Sequence, residues 1–399
     1  MPDTLPVVTP TTTDWKLEPV IDWLVREGRL LPDPVRLIDE MANRLLAAGA
    51  PLSRFTLGLQ AIHPQFRTLA IAWRRGEKIE QQARAHGIES SPSYIGSPIQ
   101  ELIETRRPVR YRLDSLTPAN HAVLHELAEA GGTDYYATPM RLVHGRPLGL
   151  TFTTDRPGGF SDADIEKFHR LMDHLAPIAE SHIGHRVSTT LMETYLGRIV
   201  GEQILSGLIK RGDGQEINAV LWFSDMRDFT GLNERMAGPD LLELLNNYLQ
   251  LVGDALRAHG GEILKFIGDG VMGYFPAEDA LFLPMVTANA LGAAQRLIGD
   301  IEAANEARAA GGAELLRCGV GLHVGPVMFG NIGTEDRLDF TVIGPAVNRA
   351  ARLESLTKEL HVPILASAEF NEVCSVPMKS LGRHVLRGVP EPVEVFTVP

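Results

Sequence analysis

Ile263-Leu264-Lys265-Phe266-Ile267-Gly268-Asp269-Gly270-Val271-Met272 sets two apolar runs on either side of a Gly-Asp-Gly break. That pattern reads as a β-hairpin with Asp269 in its turn. Upstream, Ala219-Val220-Leu221-Trp222-Phe223-Ser224-Asp225-Met226-Arg227-Asp228-Phe229-Thr230 places a second aspartate, Asp225, directly after a short apolar strand. If those strands are neighbours in one sheet, both carboxylates emerge at the same edge. Two hard oxygen ligands there would hold Mg²⁺ or Mn²⁺ against a substrate phosphate. Taken singly, each aspartate reads as an ordinary turn residue; the pair gains its meaning from a third segment of the chain.

Downstream lies Arg337-Leu338-Asp339-Phe340-Thr341-Val342-Ile343-Gly344-Pro345-Ala346-Val347-Asn348-Arg349-Ala350-Ala351-Arg352-Leu353-Glu354, a strand, a turn and a helix that Pro345 opens. Asn348 and Arg352 stand four apart, on one helix face. An amide and a guanidinium so placed suit ribose and phosphate oxygens, although a solvated face would look the same. Together the three segments resemble the catalytic domain of class III nucleotidyl cyclases, over about residues 217 to 399.

That resemblance implies a ferredoxin-like βαββαβ domain, hence an α+β fold, and an adenylate cyclase that turns ATP into 3′,5′-cyclic AMP and pyrophosphate. It implies two Mg²⁺ or Mn²⁺ ions per site on Asp225 and Asp269, with the Met226 carbonyl as a further ligand. The amides from Met226 through Phe229 to Thr230 would receive the β- and γ-phosphates. Arg352 would offset charge on the α-phosphate and Asn348 would hold the ribose ring oxygen. Lys265, a cation within an apolar strand, falls where the family reads the purine and would donate to N1 of adenine. Read without the family, it is an edge-strand guard against aggregation. Thr341 is the second base-reading position, its hydroxyl accepting from the exocyclic amine. In this family one site draws its metal carboxylates and its base- and ribose-reading residues from opposite subunits. A single chain carrying both sets implies a homodimer. Two positions depart from the family pattern: Asp228 stands where glycine is frequent, and Pro345 where aspartate is. A guanylate cyclase and a non-catalytic nucleotide-binding regulator are the alternatives. The Gly-Gly-Asp/Glu-Glu-Phe turn of a diguanylate cyclase is absent.

Composition narrows the rest. A chain of 399 residues allows two or three domains, and its net charge of −12 argues against a nucleic-acid partner. Only Cys318 and Cys374 are present, which fits a reducing cytoplasm rather than a disulfide framework. No apolar run approaches a membrane span. Residues 1–14, rich in Thr and Pro, read as a disordered tail. Residues 15–182 read as mixed α and β. A hairpin about His144-Gly145-Arg146, then Gly158-Gly159-Phe160-Ser161 and a helix capped by Ser161, resemble the last half of a GAF sensor domain. A signal, such as a small molecule, is expected there; a PAS domain is the weaker rival. His169, His174, His182 and His185 match no ligand spacing and read as solvated helix positions. Residues 183–214 read as a connector helix whose apolar stripe, Val187, Leu191, Tyr195 and Ile199 beside Met192, Leu196, Val200, Ile204 and Leu208, needs a partner. That partner is either the same helix of a second copy or the chain's own domain. Residues 215–399 make the catalytic domain.

Overall fold

The computed structural model describes residues 14–60, 66–85, 87–143, 148–277 and 279–399. The expected tail, apart from Asp14, and the His144-Gly145-Arg146 turn lie outside them. The chain divides into two units, after Leu191.

In the first unit, α1 (Glu18–Arg26) and α2 (Pro34–Ala47) precede strands β1 (Arg54–Gln60), β2 (Phe66–Arg74) and β3 (Glu80–Ala85). Then come α3 (Pro98–Thr105), β4 (Val109–Arg112), α4 (Ala122–Glu129), β5 (Asp134–Met140), β6 (Leu148–Thr154) and the long α5 (Asp162–Leu196). The sheet order is β3-β2-β1-β6-β5-β4, with every described neighbour antiparallel. Trp15, Trp23, Phe55, Trp73, Phe152 and Phe168 lie in one core between this sheet and α1, α2 and α5. The sequence pattern misses β3 and β4, which are the two edge strands. Their residues, Glu80-Gln81-Gln82-Ala83-Arg84-Ala85 and Val109-Arg110-Tyr111-Arg112, carry charge where an inner strand would alternate apolar residues. Ser161 caps α5 as expected: the Asp164 amide donates to its hydroxyl at 3.2 Å and the Ser161 amide donates to Asp164 at 2.8 Å. His169 meets the Tyr136 hydroxyl of β5, and His174 the Arg170 carbonyl one turn earlier in its own helix.

The second unit holds α6 (Arg198–Leu205), β7 (Gly214–Met226), α7 (Phe229–Arg235), α8 (Gly238–Ala258), β8 (Glu262–Ile267), β9 (Gly270–Pro276), α9 (Leu283–Ala310) and β10 (Cys318–Gly333). It continues with β11 (Leu338–Ile343), α10 (Pro345–Glu359), β12 (Ile364–Ser367), α11 (Ala368–Val373), β13 (Lys379–His384) and β14 (Val393–Thr397). Inside the larger sheet the order β10-β7-β9-β8, all antiparallel, is the βαββαβ arrangement with α8 and α9 as its two helices. β10 is one continuous strand, which β7 pairs from Cys318 to Gly330. Beyond that, β11 doubles back along β10 from Gly333 to Met328.

β7 alternates faces with period two. Val220, Trp222 and Met226 enter the core beneath α8 and α9. Ala219 and Leu221, with Phe223 packed against them, join a second cluster with Ala346 and Ala350 of α10 and with Phe329 and Phe340 of the β10–β11 arm. Asp225 is next in that second row. The α9 region, 280–310, is the one stretch among the described residues long and apolar enough to cross a membrane by length and composition. Thr287, Ala290, Leu291, Ala293, Ala294, Leu297 and Ile301 are buried in it, and Ala290, Leu291 and Leu297 belong to the core under the sheet.

A single connector helix over residues 183–214 is corrected. The helix stops at Gly197, whose φ of +86° favours glycine, and α6 starts anew. Val200 is buried, and Leu196, Ile199 and Ile204 pack beside it on the unit's own sheet. That part of the stripe has its partner within the chain.

Candidate active site

Asp225 lies at the C-terminal end of β7 with glycines beside it. Its register partner on β10 is Gly319, and on the β9 side the last pair, Ser224 with Val271, leaves it next to Gly270. A Cβ on Gly270 would stand 3.2 Å from the Asp225 carboxylate. The β8–β9 turn therefore approaches closely and carries the Asp269 carboxyl within hydrogen-bonding reach of Asp225. Burial first, and then the negative charge of Asp269, push the Asp225 carboxyl up to about 6; Arg227 and the Met226 backbone act the other way.

A further acid faces the pair. Glu354 of α10 is 5 % exposed, and burial first, then the charge of Asp225, raise its carboxyl to about 7. Arg227 approaches it at 3.4 Å and also donates to the Thr357 hydroxyl. Asp225 and Glu354 thus share the Arg227 guanidinium. The donor set fits a divalent cation, because hard carboxylate oxygens crowded together favour a cation over a shared proton. Among the described residues no group of three or more His, Cys, Asp or Glu side chains is gathered as a metal cage. A cation would rest on the two aspartates and draw its remaining ligands from backbone, substrate and water.

The other expected residues form two further groups. Lys265 on β8 is ion-paired with Asp339 of β11. Thr341, two residues on from Asp339 and so on the same strand face, is 6 % exposed. The pattern behind Asp339 was visible as an acid two positions before Thr341, yet a strand carboxylate alone gives no reason to select it. Asn348 is exposed and Arg352 half-buried, and neither makes a hydrogen bond or ion pair with a described residue. Arg352 lies near the β13–β14 turn, where a Cβ on Gly388 would be 3.4 Å from its guanidinium. Glu354 comes two residues after Arg352, roughly 200° around the helix. So when Glu354 faces the sheet, Asn348 and Arg352 leave the opposite side. Phe229 packs against the core under α8, while Thr230 is exposed.

The departures have physical accounts. Asp228 has φ of +61°, the left-handed conformation that explains a preference for glycine and that aspartate tolerates. Its carboxylate pairs with Arg235 at 3.2 Å. Pro345 occupies the first turn of α10, where its missing N–H costs nothing.

The family model for the adenylate and guanylate cyclase catalytic domain matches residues 214–398. Adenylate cyclase 1 of Rhizobium meliloti is 27% identical over 295 residues, 71% of this chain and 44% of that protein. An adenylate cyclase of Anabaena cylindrica is 32% identical over 199 residues, 48% of this chain and 38% of that protein. The chain thus spans less than half the length of these curated relatives. Among solved structures, the adenylyl cyclase CyaB from P. aeruginosa is 29% identical with a TM-score of 0.44, covering 47% of this chain and 96% of that one. The guanylyl cyclase Cya2 is 26% identical with a TM-score of 0.40, covering 46% of this chain and 92% of that one.

Proposed function

Residues 214–398 belong to the adenylate and guanylate cyclase catalytic domain family, and on that premise we propose that the chain converts ATP to 3′,5′-cyclic AMP and pyrophosphate at sites shared by two copies. The ribose 3′ oxygen attacks the α-phosphorus, the new O–P bond closes the ring, and the bond to the bridging oxygen of pyrophosphate breaks. The 3′ proton passes to solvent. Mg²⁺ or Mn²⁺, when bound, supplies acidification of the 3′ hydroxyl and neutralisation of triphosphate charge. Asp225 and Asp269 would hold the cations, with the Met226 carbonyl as a further ligand. The backbone from Met226 through Phe229 to Thr230 cradles the outer phosphates.

Arg352 stabilises negative charge growing on the α-phosphate, and Asn348 orients the ribose; preorganised charge carries most of such a reaction. Lys265 donates to N1 of adenine and Thr341 accepts from the amine, which selects ATP over GTP. The observation that carries this reading is the Asp225–Asp269 pair, in which burial first and then the charge of Asp269 raise the Asp225 carboxyl. Asn348 and Arg352, on the far side of α10 from Glu354 and without partners among the described residues, support sites completed by a second copy. The exposed apolar residues Phe266, Ile267 and Ile343 support a homodimer face as well. Two free cysteines, Cys318 and Cys374, fit action in the cytoplasm. The six-stranded first unit is the natural place for a GAF-like sensor that takes a small-molecule signal.

The test is turnover by purified full-length protein with Mn²⁺ and either ATP or GTP, the products separated by chromatography. Cyclic AMP with equimolar pyrophosphate from ATP is expected, and cyclic GMP as the main product would overturn the assignment of the base.

A further inference from the structure

The side chains of Arg227 and Glu354 are given no part in binding metal, phosphate, ribose or base, yet they join the strand end that carries Asp225 to the helix that carries Asn348 and Arg352. Arg227 comes two residues after Asp225 and crosses to the buried side of α10. One end of its guanidinium is 3.4 Å from Glu354 and the other donates to the Thr357 hydroxyl, which in turn donates to the Glu354 carbonyl. Glu354 is 5 % exposed and Thr357 fully buried.

The sheet beneath is shaped for this junction. A Cβ on Gly319 of β10 would collide with Thr357 and Arg227 and lie 2.8 Å from the Glu354 carboxylate. One on Gly321 would strike the backbone of Ala350 and Glu354. Two bare positions on one strand face let α10 rest directly on β10 and leave a slot in which the three polar side chains meet. A paired, hydrogen-bonded charge cluster in such a slot tolerates little displacement, because breaking it leaves a charge buried alone.

We infer that Arg227 and Glu354 form a positioning pair that sets the pose of α10, and hence of Asn348 and Arg352, against the end of β7 that bears Asp225. The inference rests on the proposed function for what α10 delivers to the nucleotide. Since α10 and Asp225 of one chain serve different composite sites, the pair also links the geometry of the two sites. Neither residue touches substrate in this role.

The experiment is a double-mutant cycle on the full-length chain with Glu354→Gln, Arg227→Gln and both together. It reads amide hydrogen exchange over residues 346–353, and kcat and KM for ATP at saturating Mn²⁺. Each single variant should exchange faster across that segment and lose about tenfold or more in kcat, because small misplacements of a positioning group are costly. KM should stay within about twofold, since ground-state contacts to ATP remain. The double variant should be no worse than either single one, as expected when two groups act as a unit. Should Arg227→Gln fail to fold, Thr357→Val, which removes only the hydroxyl, takes its place in the cycle. Unchanged exchange over α10, unchanged kcat, or losses that multiply in the double variant would overturn the proposal. If wild-type protein forms no cyclic nucleotide, the proposed function fails, and the exchange arm alone still decides whether the pair positions α10.

Discussion

At the scale of single residues, the decisive property is the crowding of acids around Asp225. Its folded carboxyl lies at about 6 and that of Glu354 at about 7, both above their ordinary values. A folded state that binds protons more tightly than the unfolded chain is favoured below the unfolded pKa and loses that advantage as pH rises through the folded one. Asp225 and Glu354 should therefore contribute a stability to metal-free protein that falls between about pH 4 and pH 7, while His323, held by burial down to about 4, acts the other way over part of that window. Asp225→Asn should flatten part of that slope, because it removes one titrating acid and relieves Glu354. Thermal melts of wild type and Asp225→Asn in chelator across the window check this, and the same pH dependence in both would contradict the acid cluster. Lys265 shows the limit of reading residues alone. Its place in an apolar strand marked it as unusual, but its partner Asp339 is distant in sequence and only the returning β10–β11 arm brings the two together.

At the scale of elements, the close seating of α10 on β10 depends on glycine at two positions. Gly321→Ala would force a methyl group into the backbone of Ala350 and Glu354. A cost of about 1–3 kcal/mol is expected for such overpacking, read as a lower denaturant midpoint, with a loss of turnover larger than the stability loss explains. The elements legible in sequence were those with a strong period or a strong stop: β7, the Asp269 hairpin and α10 opening at Pro345. Asn348 with Arg352 was legible from helix spacing alone, and Asp225 with Asp269 on the condition that their strands are neighbours, as β7 and β9 are. The edge strands β3 and β4 were missed because their charged residues erase the alternation. The connector stripe was read as one helix because apolar spacing continues across Gly197, and only the backbone's left-handed turn there ends it. Arg227 and Glu354 escaped notice because their meaning is a contact between residues 127 positions apart.

At the scale of the whole molecule, a site completed by a second copy makes a quantitative expectation. Equal mixing of Asp225→Ala and Arg352→Ala chains gives half heterodimers, each with one whole site of two. Activity should return to about a quarter of wild type from near zero. No recovery, with heterodimers demonstrated, would place each complete site within one chain. The most direct test of the central claim, that the Asp225–Asp269 pair holds divalent cations for the nucleotide, is a Mn²⁺ titration monitored by electron paramagnetic resonance. It uses full-length protein with an ATP analogue lacking the 3′ hydroxyl, alongside Asp225→Asn and Asp269→Asn. Wild type should bind two Mn²⁺ per site, and both variants should lose tight binding. Equal Mn²⁺ binding by wild type and by either variant would contradict the claim.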